Sequence, residues 1–320
     1  MVSTKGSVVK ENLRRPGLLV LLVFCLPGWH PIRAAEQRMN MIVTAAYVSE
    51  RGMDVYKELG DYLGKKTGYK TRLVSGTSYE VADLLLKKGH IQVGFVCGLP
   101  YTENVEKGIY RLLAMPTMKN QTGNHSDARG YSGVPGKYYS YTIVQKNSAI
   151  TSWSQLEGKS YTYSDKKSNS GYNMPRYKLL QMGYSSWNDY FSRIVVSGSH
   201  EESIRLVANG SVTASSVDSL VLDYDRSIGD MNALNVRIIE HLFDGGAGIP
   251  PVVISNQAPK GMFEKLQKAL LTMHQDPDGR VILDKALIEK FLPPEDSNYD
   301  EVRKYKKEAR KRGFVDHDEE

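Results

Sequence analysis

Short apolar runs with β-strand character alternate with segments of helical periodicity along most of this chain, which limits the folds open to it. In the first third, the helical segments cover 53–63 and 81–86. The strand-like runs that flank them lie at 41–45, 71–74, 91–96 and 110–115. Alternation of this kind is typical of a largely parallel sheet covered by helices. The sequence therefore predicts an α/β fold.

The same alternation occurs a second time, which bears on the number of domains. A segment rich in glycine and polar residues at 117–137 predicts a long loop, and a new alternating series follows it up to about residue 217. Patterning like that of the first series returns after Gly245. A chain of 320 residues is large for a single hydrophobic core. We therefore predict two α/β lobes with a hinge: lobe 1 from 36–140 plus 246–320, and lobe 2 from 141–245.

The first 35 residues differ from the rest of the chain. Lys5, Lys10, Arg14 and Arg15 precede an apolar run at 18–26, and the small pair Ala34-Ala35 closes the segment. This order is typical of a secretory signal peptide, and the apolar run is shorter than the ~20 residues that a transmembrane helix needs. The sequence predicts export to the periplasm or another extracytoplasmic compartment. Cleavage after Ala34 and cleavage after Ala35 are both compatible with the sequence.

Charge and cysteine content exclude several classes of protein. The net charge of the whole chain is +6, but removal of residues 1–35 lowers it to +2. A basic balance carried mostly by a leader gives no reason to expect nucleic acid as a partner. Cys97 is the one cysteine outside the predicted leader, so no intramolecular disulfide is expected and a buried apolar thiol is the default interpretation.

A cluster of small polar residues precedes the apolar-periodic run that begins near Tyr177. Ser168, Asn169, Ser170 and Gly171 stand where the N-cap and the first unpaired N–H groups of a helix are expected. Such N–H groups and the positive end of the helix dipole favour a bound phosphate, phosphonate or carboxylate. The alternative interpretation is an ordinary capped helix with no ligand.

Three segments together show a resemblance to a known family. They are the Trp-Ser-Gln-Leu-Glu-Gly-Lys string at 153–159, Ser168 to Gly171, and Ser199-His200-Glu201. Over roughly 39–290 the chain resembles the phosphate/phosphite/phosphonate substrate-binding proteins of ABC transporters. The resemblance implies a type II periplasmic-binding-protein fold that closes on a small oxyanion ligand. It also implies an ABC permease as partner, a monomer, no cofactor, no metal and no catalytic residue.

The resemblance also assigns roles to individual residues. It implies that Ser168, Asn169, Ser170 and the amide of Gly171 hold the oxygens of the anion, with Asn169 standing where threonine is common. Tyr79 is then the tyrosine that reaches the anion from the first lobe. The alternative for Tyr79 is an aromatic residue at a helix start that packs on the sheet.

Two acids, a histidine and a second tyrosine complete the predicted ligand-binding set. Glu201 resembles the family's acid that meets a ligand ammonium or a protonated oxygen, although a first-turn carboxylate at a helix N-terminus is the alternative. Asp218 follows an apolar run, at the strand end where open α/β sheets bind ligands, and a surface turn is its alternative. His200 and Tyr47 are included as well, although a structural role at a capped turn also explains His200.

Two features weaken the assignment of a particular ligand. Val96 stands where phosphonate-binding members have a tyrosine close to the anion, so one contact is expected to be missing. The long predicted loop could also reshape the mouth of the site. The sequence therefore predicts a small oxyanion without naming it.

Two other functions compete with solute binding. Ser170, His200, Glu201, Asp218 and His241 are residue types that perform acid–base or metal chemistry, but no Gly-x-Ser-x-Gly, His-Glu-x-x-His or P-loop string is present. An enzyme is therefore disfavoured. A module that reports ligand occupancy to a membrane kinase or chemoreceptor would use the same closure, and the sequence does not separate it from a transport component.

Overall fold

The structure is a computed structural model, and it describes Gly6 and residues 37–44, 49–74, 78–119 and 135–315. Apart from Gly6, the predicted signal peptide lies outside these residues. Tyr47 and residues 120–134 of the predicted loop also lie outside them.

Among the described residues, one sheet has six strands: β1 (Arg38–Val43), β2 (Lys70–Val74), β3 (Val93–Phe95), β4 (Tyr110–Met118), β10 (Val252–Ser255) and β11 (Ile288–Leu292). Their order across the sheet is β11-β4-β10-β3-β1-β2. Strand β1 pairs in parallel with β2 and β3, whereas β10 runs antiparallel to β3 and β4. Strands β10 and β11, which return from the second half of the chain, run opposite to the other four strands. The sheet is therefore mixed, and the expected parallel arrangement holds for β1 to β4 only.

Helices cover this sheet, and their apolar spacing explains their positions. They are α1 (Met53–Thr67), α2 (Tyr79–Lys87), α3 (Gly98–Glu106), α8 (Met262–Thr272) and α9 (Pro277–Lys285), whereas the C-terminal helix α10 (Asp300–Lys311) packs against α3 and against residues 174–181 and 236–248. In α1, Tyr56, Leu59 and Leu63 lie on one face and are buried in the same core as Met39 and Met41 of β1. The helix predicted at 53–63 is confirmed.

The second sheet has five strands within the described part of the chain: β5 (Lys137–Gln145), β6 (Ser160–Tyr163), β7 (Arg193–Val196), β8 (Ala214–Asp218) and β9 (Val236–Gly248). Their order across the sheet is β7-β6-β8-β5-β9. The accompanying helices are α4 (Met174–Gln181), α5 (His200–Ala208), α6 (Ser219–Ser227) and α7 (Met231–Leu234). Strand β6 pairs in parallel with β7 and β8, and β5 runs antiparallel to β8 and β9.

The two predicted lobe boundaries fall within strands β5 and β9. Position 140 lies inside β5 and position 245 inside β9, and the pairing of Tyr138 with Ala247 holds the two strands together. The following strand, β10, pairs with β3 and β4 of the first sheet. The division into two lobes with these boundaries stays a prediction.

The C-terminal helix α10 is less solvated than its alternating charges suggest. It buries Val302, Tyr305 and Ala309, which recur at helical spacing. The ring of Tyr305 stacks on Tyr177 of α4 with 4.7 Å between ring centroids. One face of α10 is therefore part of the core. No helix in the described ranges is both long and apolar enough to cross a membrane.

Candidate ligand-binding site

The polar segment that precedes α4 forms a turn of π-helix, Asn169–Asn173. Ser168 is its N-cap, and the backbone N–H of Gly171 donates a hydrogen bond of 2.9 Å to the Ser168 Oγ. The side chains of Ser168, Asn169 and Ser170 are fully buried. We call residues 168–171 the cradle. The π-helical turn is wider than an α-helical turn, and such turns are frequent at functional sites.

Gly171 occupies a position with no room for a side chain. A Cβ atom there would lie 2.7 Å from the Ser164 Oγ, 3.0 Å from the Ser168 Oγ and 3.1 Å from the His200 Cε1. These distances are shorter than a Cβ atom tolerates without movement of its neighbours. Glycine is therefore required by the close approach of the surrounding side chains.

His200, the first residue of α5, contacts the cradle through its imidazole ring. Its Nδ1 accepts a hydrogen bond of 3.2 Å from the backbone N–H of Asp218, so its Nε2 carries the hydrogen and donates to the Ser168 Oγ at 3.2 Å. Burial lowers the pKa of His200 to about 3. The ring is therefore neutral at physiological pH, and it orients the hydroxyl of Ser168.

Asp218 ends strand β8 and is fully buried, so it does not lie in a surface turn. Its Oδ1 accepts from the backbone N–H of Leu220 at 2.9 Å, and its Oδ2 accepts from the Ser170 Oγ at 3.2 Å. Burial raises the pKa of Asp218 well above its usual value, and these two hydrogen bonds only partly oppose the rise. The carboxyl group therefore favours its protonated form.

Tyr79 and Cys97 approach the cradle from the first sheet. Tyr79 is the first residue of α2, and its hydroxyl is buried with no hydrogen-bond partner in the described part of the molecule. Burial raises the pKa of Tyr79 well above its usual value, and Cys97 and Asp218 lie close enough to add to the rise. The Cys97 Sγ accepts a hydrogen bond of 3.2 Å from the backbone N–H of Asn169.

Cys97 and Tyr138 were not among the residues predicted for the site. Cys97 follows the end of β3 after one intervening residue, so the rule that ligands bind beyond the carboxyl ends of strands could have found it. Tyr138 is the second residue of β5, and its hydroxyl accepts from the Asn169 Nδ2 at 3.0 Å. Periodicity alone predicts only that Tyr138 is a buried strand residue.

Glu201 takes part in a contact between distant segments of the chain. Its Oε2 accepts from the backbone N–H of Glu50 at 3.0 Å. Beside it, the Ser49 Oγ donates to the Asp225 Oδ1 at 2.6 Å, and Arg51 forms an ion pair with Asp230. We call these three pairs the 49–51 contacts. They join the segment before α1 to helices α5 and α6 and to the residue that caps α7.

The chemistry of the cradle is that of neutral donors in a buried setting. Residues 168–173 contain hydroxyl and amide groups and no arginine or lysine. Among the described residues, no three histidine, cysteine or acidic side chains are grouped so that they could hold a metal ion. The arrangement suits an oxyanion bound by hydrogen bonds at a helix N-terminus.

The fold is that of the type II periplasmic binding proteins, with two sheets and flanking helices. One similar structure is a binding protein component of an ABC phosphonate transporter from Pseudomonas aeruginosa, with a TM-score of 0.73 and 17% identity, covering 87% of this chain and 88% of that one. PhnD1 from Prochlorococcus marinus in complex with methylphosphonate has a TM-score of 0.71 at 17% identity, covering 86% of this chain and 99% of that one. The periplasmic aliphatic sulphonate binding protein SsuA from Escherichia coli has a TM-score of 0.54 at 14% identity, covering 87% and 88%.

A family model matches residues 41–299, and its description is the periplasmic substrate-binding protein of the phosphonate ABC transporter. This chain belongs to that family. The family consists of transport proteins, whose partners are a small ligand and a membrane permease. The family therefore implies an extracytoplasmic location and a role other than that of an enzyme.

Proposed function

We propose that this protein captures a small phosphonate, phosphite or phosphate-like oxyanion for an ABC importer and holds it at the cradle. The observation that carries the proposal is the buried Tyr79 hydroxyl, which has no partner among the described residues and lies near a set of neutral donors. An unsatisfied buried hydroxyl costs about 1–3 kcal/mol, and a ligand oxygen that accepts its hydrogen would remove that cost. Isothermal titration against phosphate, phosphite, methylphosphonate and 2-aminoethylphosphonate tests the proposal.

The proposed site comprises Tyr79, the cradle, His200 and Asp218. Tyr79 and the cradle donate to the anion, and His200 keeps the Ser168 hydroxyl oriented. Asp218, with its raised pKa, is protonated and donates to a ligand oxygen instead of repelling it. Tyr47 stays a predicted member of the set. The absence of heat with all four anions would contradict the ligand assignment.

Replacing Tyr79 by phenylalanine is expected to weaken methylphosphonate binding by about 1.5–3 kcal/mol, because a hydrogen bond to a charged group is lost. The stability of the ligand-free protein should stay constant or rise, since the change removes a buried hydroxyl that has no partner among the described residues. Titration calorimetry and urea unfolding measure the two effects.

The matched control is Tyr161→Phe. Tyr161 lies in β6, it is buried like Tyr79, and its ring stacks on Phe191 in an aromatic cluster. This variant is expected to keep wild-type affinity. Equal affinities of the Tyr79→Phe variant and the wild type would remove Tyr79 from the ligand site.

Glu201 stays a predicted ligand residue, and its contact with Glu50 gives it a second possible role. Glu201→Gln keeps the shape and removes the charge. It is expected to weaken 2-aminoethylphosphonate by about 1–3 kcal/mol more than methylphosphonate, since only the former offers an ammonium group. An equal loss for the two ligands, compared by calorimetry, would assign Glu201 to the contact with Glu50 alone.

We further propose that residues 1–35 direct export, that the mature protein is a monomer without cofactor, and that it has no nucleic-acid partner. The basic leader with its short apolar run supports export, and the low net charge of the remainder supports the last point. Detection of the full-length chain in the cytoplasm with its leader intact would contradict the first of these proposals.

A further inference from the structure

Cys97 and Tyr79 pack against each other as a small apolar cluster, separate from the two main cores. We call these two side chains the apolar wall. Both are buried, with Cys97 fully inaccessible and Tyr79 exposed by 3%. The wall stands beside a cradle whose other lining groups are hydroxyls and amides, so one side of the site differs in chemistry from the rest.

The thiol also changes the donor set of the cradle. The Asn169 N–H, one of the amides at the start of the π-helical turn, is taken by the Cys97 Sγ at 3.2 Å. Burial raises the pKa of Cys97 to about 12, although the backbone amides of Asn169, Leu99 and Gly98 limit the rise. The thiol is therefore neutral, and a neutral thiol is a weak hydrogen-bonding group that behaves as a small apolar one.

A second observation at the same place points to a ligand. The Tyr79 hydroxyl is buried, carries no hydrogen-bond partner among the residues described, and belongs to the same two-residue cluster as the thiol. A buried hydroxyl of this kind normally finds an acceptor. The wall thus places one strong donor directly beside one small apolar group.

We propose that Cys97 is a specificity-determining residue that selects tetrahedral anions with one substituent other than oxygen, such as phosphonates and phosphite, over phosphate. This inference rests on the proposed function. Phosphate has four oxygens, and each needs a partner when it is buried. A phosphonate has three oxygens and a carbon, and a phosphite has a hydrogen in place of that carbon. The non-oxygen substituent fits against the thiol, whereas the fourth oxygen of phosphate has no donor there.

The test compares Cys97→Ser with Cys97→Ala. Serine keeps the size of cysteine and supplies a strong donor, and alanine keeps the apolar character. The measured quantity is the ratio of the dissociation constants for inorganic phosphate and methylphosphonate. We expect Cys97→Ser to lower this ratio by about tenfold, the effect of one hydrogen bond, and Cys97→Ala to leave it near the wild-type value. An unchanged ratio in a folded Cys97→Ser variant would overturn the inference.

Wild-type measurements separate this inference from the proposed function. If the wild type binds neither anion, the proposed function and the inference fail together; if it binds and the ratio does not respond to serine, the inference alone fails. A measurement on the unmodified protein guards against misfolded variants. The wild type should bind methylphosphonate more tightly than inorganic phosphate, and equal dissociation constants for the two anions would contradict the inference.

Discussion

Replacing Gly171 by alanine is expected to reduce methylphosphonate affinity by about 100-fold. The added Cβ would meet the hydroxyls of Ser164 and Ser168 and the ring of His200 at 2.7–3.1 Å. Relief of such contacts must move the cradle, and overpacking of this kind costs typically 1–3 kcal/mol. Because Ser168 accepts from the Gly171 N–H, its displacement also disturbs the donors that we propose for the anion. Calorimetric titration measures the loss, and urea unfolding measures the accompanying destabilisation.

Gly245→Ala is the matched control for this change. Gly245 lies in β9, it is exposed, and an added Cβ would meet no atom within 4 Å. This variant is expected to bind and unfold like the wild type. If Gly171→Ala retained wild-type affinity, the cradle would be more adaptable than its geometry indicates and would lose its proposed role.

Raising the pH from about 4 to about 7 is expected to remove the stability that Asp225 contributes to the folded protein. This buried carboxyl belongs to the 49–51 contacts and accepts from the Ser49 Oγ. Burial is the main cause that raises its pKa to about 7, Glu201 and Asp230 add to the rise, and Ser49 and Arg51 oppose it. The unfolded chain has the ordinary value of about 4.

The sign of the Asp225 contribution follows from the number of protons that the folded and unfolded states bind. Between these two pKa values the folded state holds a proton on Asp225 that the unfolded state has lost, so the free energy of unfolding decreases as pH rises through the window. Each unit of pKa difference corresponds to about 1.4 kcal/mol. Asp218, with its raised pKa, acts in the same direction, whereas His200, whose pKa burial lowers to about 3, acts in the opposite direction. A variant is therefore needed to isolate the part that belongs to Asp225.

Asp225→Asn should remove the Asp225 part of the decrease, so that between pH 4 and pH 7 its free energy of unfolding falls less, or rises more, than that of the wild type. Urea unfolding at several pH values compares this variant with the wild type and with Asp189→Asn, which changes an exposed aspartate. The Asp189 variant should reproduce the wild-type slope. Parallel profiles for Asp225→Asn and the wild type would show that the carboxyl titrates alike in the folded and unfolded states.

Local patterns in the sequence were sufficient for most of the elements. The spacing of Tyr56, Leu59 and Leu63 places α1, because residues three and four apart share one face of a helix. The Ser-His-Glu-Glu string at 199–202 has the spacing of a helix cap, and the Ser199 Oγ does accept from the backbone N–H of Glu202 at 3.0 Å. The polar segment before α4 was likewise recognised from residues adjacent in sequence. Such features depend on near neighbours, which the sequence displays directly.

Contacts between distant segments were decided only by the tertiary structure. Cys97 and Asn169 are 72 positions apart, and Glu50 and Glu201 are 151 apart. No periodicity relates such residues, because their approach depends on how strands pair and how helices pack on the sheets. The same holds for the antiparallel entry of β10. The sequence by itself determined an α/β chain with a polar helix start, whereas long-range packing placed an apolar thiol and a buried tyrosine hydroxyl beside it.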